Sequence, residues 1–246
     1  MTYDQPYVFL TTKPLTRYIF EEQQEYLYIL FKEAFADADL DITINYTDNT
    51  DHNYQINIGA TTKGQVIAQN IGYPVLDYNQ YEEAKSISSI EIKIDSESEK
   101  LILIPAELNS DEYRELHYFN SLGGMDSLFC TGDHQTTIDS NFINSFKSFT
   151  PDADLSDAEY SAHSGYSQSK YDISSGYKPH KEIEAVKDMF LINNVFELVT
   201  ENTSSVLLPL ILDQKSVGYP PAKSNLKAVS FEARLAYDET ANDRVL

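Results

Sequence analysis

The residues able to do acid–base, nucleophilic or metal chemistry in this chain are few and dispersed. Five histidines, His52, His117, His134, His163 and His180, are spread along it. No two stand four apart, as a helical zinc site of the HExxH kind requires. His52 falls in a turn and His180 in a first helical turn, where a solvated ring is expected. The single cysteine, Cys130, excludes an internal disulfide and a cysteine-rich zinc site. It lies in an apolar run with His134 nearby in sequence, and a small buried core residue is the simpler expectation than a nucleophile. There is no GxSxG elbow, Walker A loop or GxGxxG.

Acidic clusters invite a calcium test. Asp37, Asp39 and Asp41 open DADLDITINYTD, but an EF-hand loop needs Gly at its sixth position and Glu at its twelfth. Those positions hold Ile42 and Asp48, so a solvated strand face is expected. Asp152, Asp154 and Asp157 allow a loop-bound cation in the same weak sense. Paired carboxylates could hydrolyse a glycosidic bond, yet nothing marks two of the 39 acidic residues as facing one cleft. The expectation is no catalytic residue, no cofactor and no metal ligand.

Leu116–Gly132, LHYFNSLGGMDSLFCTG, is dense in aromatic and aliphatic residues and carries Gly123, Gly124 and Asp126. Neither Lys nor Ser/Thr follows the glycines as a phosphate loop demands, and no strong helix follows. Glycine between strand-like runs marks a bend or a close backbone approach. We expect a packed strand–bend–strand on the hinge side of a second domain, with glycine where a Cβ does not fit, so that Gly124→Val abolishes folding or assembly. Asp126 is expected to bond the amides of that turn.

The elements around it read as β. Tyr26, Tyr28 and Leu30 alternate with Leu27, Ile29 and Phe31, which favours a strand over the helix that EEQQEYLYILFKEAF also permits. Asp41–Ile58 reads as a hairpin with TDNTDHN as its turn, and Ser89–Pro105 as a second. A short strand, Val66–Ala68, lies between, closed by Gly72, Tyr73 and Pro74. Short alternating strands over about a hundred residues predict an immunoglobulin-like or fibronectin-like β-sandwich. Residues 1–105 are assigned to it and 106–246 to a β-rich domain with one helix. In that second part Phe142, Phe146 and Phe149 stand among polar residues, and 150–178 reads as a polar loop with a weak strand at Ser169–Ile173. Its tyrosines, Tyr160, Tyr166, Tyr171 and Tyr177, form a candidate contact loop. Pro179–Ile192 reads as a helix, with Pro179 in a first position and Ile183, Val186, Met189 and Phe190 on one stripe. Strands follow at Val195–Thr200, Val206–Leu212 and Lys227–Tyr237.

Of 246 residues 41% are hydrophobic, enough for a sizeable core. Aromatics are 18 Tyr and 12 Phe with no Trp, a set suited to half-buried sheet faces and contact surfaces. The formal net charge of −21 opposes binding to nucleic acid or an anionic membrane. The N-terminus lacks the pattern of a signal peptide, and no run reaches membrane-spanning length. The product is expected to be made and kept in the cytoplasm, or released by lysis in a particle.

Three blocks carry a resemblance: HYFNSLGGMDSLFCTGD at 117–133, SGYKPHKEIEAVKDMFLINNVFELV at 175–199 and LLPLILDQKSVGYPPAKSNLKAVSFEARLAYDE at 207–239. In order and spacing they resemble a family of uncharacterised virion or tail-associated proteins from phages and prophages of Bacteroidetes-type bacteria. Met125 stands where that family usually has an aromatic residue, and a further aromatic is split between Leu128 and Phe129. The family carries no known catalytic residues, so none transfers. The resemblance implies a non-enzymatic structural protein of a phage particle, tail or tail-adjacent. Its partners would be other virion proteins and copies of itself in a ring or tail assembly. The alternative is a carbohydrate- or receptor-binding adhesion module that presents its tyrosines to a host glycan or receptor.

Overall fold

The computed structural model describes residues 5–72, 85–94, 99–108, 112–146, 160–192, 194–201, 204–213, 226–236 and 239–240. Phe149, Asp152, Asp154, Asp157, Tyr73, Pro74 and Tyr237 lie outside them.

The chain is mainly β. In the first half, β1 (Tyr7–Phe9), β3 (Tyr26–Phe31) and β6 (Val66–Asn70) form a three-stranded sheet in the order β1-β3-β6. The other sheet takes β2 (Thr16–Phe20), β4 (Ala38–Tyr46), β5 (Asp51–Gly59), β7 (Ile87–Ile94) and β8 (Leu101–Ala106), in the order β2-β8-β7-β4-β5. All pairings are antiparallel except that of β2 with β8. A first strand divided between two sheets, its second part parallel to the last strand, is an immunoglobulin-like arrangement of the sandwich. The two inner faces meet through alternating residues: Leu27, Ile29 and Phe31 from β3, Leu40, Ile42 and Ile44 from β4, Ile90, Ile92 and Ile94 from β7. Period-2 alternation therefore decided β3 against a helix, because only a strand sends those three residues to one side.

The expected hairpins form. β4 pairs with β5 in the register Leu40↔Ile56 and Ile42↔Tyr54. Its turn is held by Asp48, whose Oδ1 accepts Thr50 N at 3.0 Å, with Asn49 at φ 64°. β7 pairs with β8 in the register Ile90↔Leu103.

The second half is built on one antiparallel sheet: β9 (Arg114–Phe119), β10 (Met125–Cys130), β11 (His134–Phe146), β12 (Tyr160–Ser174), β14 (Val195–Glu201), β15 (Ser204–Leu212) and β17 (Ser230–Leu235). Its order is β10-β9-β14-β15-β17-β12-β11, with β18 (Glu239–Thr240) alongside β12. A small pair, β13 (Lys178–Pro179) with β16 (Leu226–Lys227), stands apart. The helical region comprises two consecutive short segments, α1 (His180–Ala185) and α2 (Lys187–Ile192), with Val186 between them. Ile183, Val186 and Met189 cover the sheet over Leu116, Tyr118, Cys130, Val195 and Phe231, as the apolar stripe requires. Phe190 meets Phe231 edge-on at 5.5 Å.

Pro179 ends β13 and caps α1 instead of opening the helix, the strand expected over Lys227–Tyr237 is split between β16 and β17, and a third element departs further from expectation. The stretch read as a polar loop over 150–178 contains a strand of 15 residues, β12, paired along β11. Alternation marks a strand only where one apolar face is buried; on β11 Gln135 to Ser140 are all exposed, and on β12 a serine, Ser169, is buried along with Ile173.

Candidate functional site at the domain junction

β1 and β2 belong to different sheets, so residues 11–14 must cross between them. Leu10 N still donates to Tyr28 O at 2.8 Å, while Leu15 O already accepts from Ile102 N at 2.7 Å. Pro14 has no N–H to offer a ladder. The crossing leaves backbone polar groups that neither sheet satisfies, and buried groups of this kind need partners. The second half of the chain supplies them.

Asp126 Oδ2 accepts the Thr12 amide at 3.0 Å and the Thr12 hydroxyl at 2.8 Å, and its Oδ1 accepts the Thr11 hydroxyl at 2.5 Å. Asn120 Nδ2 donates to Leu10 O at 3.0 Å and to Asp126 Oδ2 at 2.9 Å. The turn amides expected for Asp126 go to Asn120 instead. Asn120 Oδ1 accepts from Leu122 N at 3.0 Å and Gly124 N at 3.1 Å. Asn120 is two and four residues upstream of those amides, the local geometry of an Asx turn, which frees Asp126 to reach across. The two glycines serve different needs. Gly123 has φ 87° with open space around it, whereas a Cβ on Gly124 would lie 2.1 Å from Leu10 O.

Ser127 continues the junction from the opposite side of β10, since successive residues of a strand alternate. Its hydroxyl donates to Glu25 Oε2. Glu25 also receives Arg17 NH2 at 2.6 Å, Lys13 Nζ at 3.0 Å and Gln23 Nε2 at 2.9 Å. Burial drives the Glu25 carboxyl toward its neutral form, but Arg17 and Lys13 outweigh this and hold it at about 2. Lys13 and Arg17 against Glu25 and Asp126 make a buried cluster whose formal charges cancel. Beside it Glu115 accepts Gln24 N at 3.0 Å, and His117 Nε2 lies 3.0 Å from Glu115 Oε1. Burial raises the Glu115 carboxyl above its usual range, with His117 pulling the other way.

This cluster was missed in the sequence, although parity marks it. Arg17 shares the inward side of β2 with Ile19, and Glu25 continues the inward row of Leu27, Ile29 and Phe31. An arginine and a glutamate at core parity must find each other or another counter-charge.

Next to the cluster a cleft of about 690 Å³ opens between Tyr18 and Phe20 of β2 and Gly132, Tyr177, Lys178 and Glu182 of the second half. Lys178 is buried with its Nζ 5.0 Å from the Phe20 ring centre. Burial lowers its ammonium pKa. Phe129 stacks on Phe20 at 4.9 Å and on Tyr113 at 4.6 Å.

The remaining sequence candidates lie apart from this site. Tyr160, Tyr166 and Tyr171 belong to strand β12, so they do not share a loop with Tyr177. Tyr171 carries the Arg114 guanidinium 4.1 Å from its ring centre, and Arg114 NH1 pairs with Glu197 at 2.6 Å. Tyr177 is 80% exposed at the cleft. Cys130 is fully buried, and burial pushes its thiol up to about 12; His134 Nε2 faces the Cys130 carbonyl at 3.2 Å, not the sulfur. Asp37 and Asp39 both accept the Asn57 side-chain amide, at 2.7 and 2.8 Å, and Asp41 accepts from Gln55 at 2.7 Å. Those carboxylates thus line an outer strand face. Among the described residues, no three His, Cys, Asp or Glu side chains gather where they could hold a metal ion. No helix there is long and apolar enough to cross a membrane.

No protein-family model matches the chain, and no curated protein matches it significantly.

Proposed function

We propose that the chain is a structural subunit of a phage particle, tail or tail-adjacent, acting by self-assembly and by contacts with neighbouring particle proteins. The observation that carries this reading is the junction. A subunit in a repeating assembly needs its two halves in one fixed relation. Here they are joined by directional, buried hydrogen bonds and ion pairs, which tolerate little rotation. The three-block resemblance, whose first block contains Asn120, Gly124, Asp126 and Ser127, supports the same reading. Mass spectrometry of purified particles, with electron microscopy of the same preparation, tests it. The chain is expected among the stoichiometric particle proteins; its absence from intact particles overturns the proposal.

A second reading has one observation in its favour. The cleft carries Tyr18 and Tyr177 at its mouth, 45% and 80% exposed. Exposed aromatic faces beside polar groups suit sugar stacking, so a host glycan or receptor is the ligand this alternative names. Glycan-array binding abolished by Tyr18→Ala and Tyr177→Ala would favour it over the subunit reading.

A further inference from the structure

β11 is an open edge. Among the described residues it pairs with β12 alone over its 13 residues. On its other side β12 meets β17 from Lys170 to Ser174 and β18 at Tyr166 and Ser167. From Tyr160 to Gly165 β12 pairs, among the described residues, with β11 alone. On β11 Gln135 to Ser140 are exposed without a break, whereas Ser169 of β12, opposite Ile138, is buried. Ile138 is 56% exposed among them. A two-stranded ribbon is marginal by itself in water; three or more strands are the stable unit. A long, unpaired strand also presents a row of free N–H and C=O groups to any strand that can approach.

Charge says which strand can approach. Across the paired residues, 134–146 and 160–173, the formally charged residues are Asp139, Lys170 and Asp172, of which Asp139 and Lys170 pair with each other. The pair carries a formal charge of only −1 in a chain of net charge −21. A basic partner would be drawn to the acidic surface instead of this strip, whereas two copies of so acidic a chain can meet only where repulsion is weak. The other edges suit this less. β10 is engaged by the first sandwich through Asp126 and Ser127. β5 carries Asp51 and runs beside the Asp37, Asp39 and Asp41 face. β1 and β6 are only three and five residues long.

We propose that β11 is a self-association edge, where β11 of a second copy adds antiparallel to make a four-stranded ribbon across a two-fold axis. Identical strands paired antiparallel are related by such an axis, so the contact closes at two copies. Main-chain hydrogen bonds supply the affinity, as in other strand additions. This deepens the subunit reading and rests on it for its setting.

Sedimentation velocity of the full chain across a wide concentration range tests the proposal, with Thr136→Pro and Thr137→Pro compared. Neighbouring residues of a strand send their N–H groups to opposite sides, so one variant removes a bond to β12 and the other an outward donor. The outward variant is expected to keep its circular dichroism and thermal midpoint and to weaken dimerisation at least about tenfold. Thr136→Glu with Ile138→Glu, both at exposed positions, is a second route that leaves the backbone intact. It should weaken the dimer at low salt and recover at high salt. A chain that stays monomeric throughout, or a dimer indifferent to the glutamates and to both prolines, overturns the proposal. If both prolines unfold the chain, the glutamate pair alone decides. Presence of the chain in particles is measured separately, so the subunit reading can stand while this edge fails.

Discussion

Asp126 Oδ2 accepts the backbone amide of Thr12 at 3.0 Å, across 114 positions of the chain. This one bond explains why the strand–bend–strand of the second half sits against the crossing of the first. The crossing from β1 to β2 leaves the Thr12 N–H without a ladder partner, and a carboxylate is the strongest acceptor a side chain can bring. Asp126→Ala strands that amide, two threonine hydroxyls and one donor of Asn120. We expect a loss of about 3 kcal/mol in urea unfolding, the scale for a charged acceptor removed from buried donors. Asp126→Asn keeps one acceptor oxygen and should lose about half as much. A cost for Asp126→Ala within error of zero would show that the junction is not held here.

The two glycines of the bend separate two kinds of requirement. Gly124→Val places a Cβ against Leu10 O, a backbone atom that moves only if the halves move apart. It is expected to cost more than about 3 kcal/mol, as severe overpacking does, and to block folding or assembly. Gly123→Ala meets no atom but must hold φ 87°. Its cost is set by the left-handed backbone alone, about 1–2 kcal/mol. Thermal unfolding of the two variants should therefore rank them clearly, with limited proteolysis between the halves raised for Gly124→Val only.

How far these features could be read from the chain depends on the range of the forces involved. The first sandwich was legible because Leu27, Ile29, Phe31, Ile42, Ile44, Ile90 and Ile92 alternate against polar neighbours, and burial of one face enforces that pattern. The bend at Gly123–Gly124 was legible for a local reason. The partners of Asp126 were not, because Thr11 and Thr12 lie more than a hundred residues away and nothing near Asp126 names them. β12 was hidden for a different reason: its buried positions include Ser169 as well as Ile173, so no apolar period marks the strand. Arg17 and Glu25 were visible as parity violations, and a charge at core parity is the local trace of a distant contact.

Acid should act on the junction in two stages. Glu25 falls from its ordinary 4.5 to about 2 in the fold. Its contribution is thus fully present above about pH 4.5 and disappears as pH falls toward 2; a shift of this size is worth about 3 kcal/mol. Glu115 and Glu197 are displaced the other way, burial being the first cause in each. A carboxyl raised in the fold binds its proton more tightly there than in the unfolded chain, so those two favour folding as pH drops from neutral through their raised values. Stability should rise slightly as pH falls from 7 and then fall steeply below about 4.5, as the linkage signs require. Glu25→Gln should abolish the steep acid limb. It should also cost about 3–5 kcal/mol at pH 7, because Lys13 and Arg17 then lie buried without their shared counter-charge. A wild-type profile flat from pH 5 to 2.5 would contradict the assignment.

Lys178 poses the converse case, a buried cation with no carboxylate within ion-pair distance among the described residues. It rests over Phe20 at 5.0 Å, and burial already lowers its pKa. A cation–π contact is worth about 0.5–2 kcal/mol, while removing an ammonium from water costs several kcal/mol even after relaxation. The desolvation cost is the larger of the two, so Lys178→Met, of similar length and able to pack on both Phe20 and Cys130, is expected to leave stability unchanged or raise it by about 1 kcal/mol. The sign of the pKa shift adds a check. A lysine whose folded pKa is depressed weakens the fold most at low pH, so the advantage of Lys178→Met should grow as pH falls from 10 to 7. Chemical denaturation of both proteins at those two pH values measures it. A loss of more than about 2 kcal/mol in Lys178→Met would show that the ammonium is held by more than the Phe20 ring.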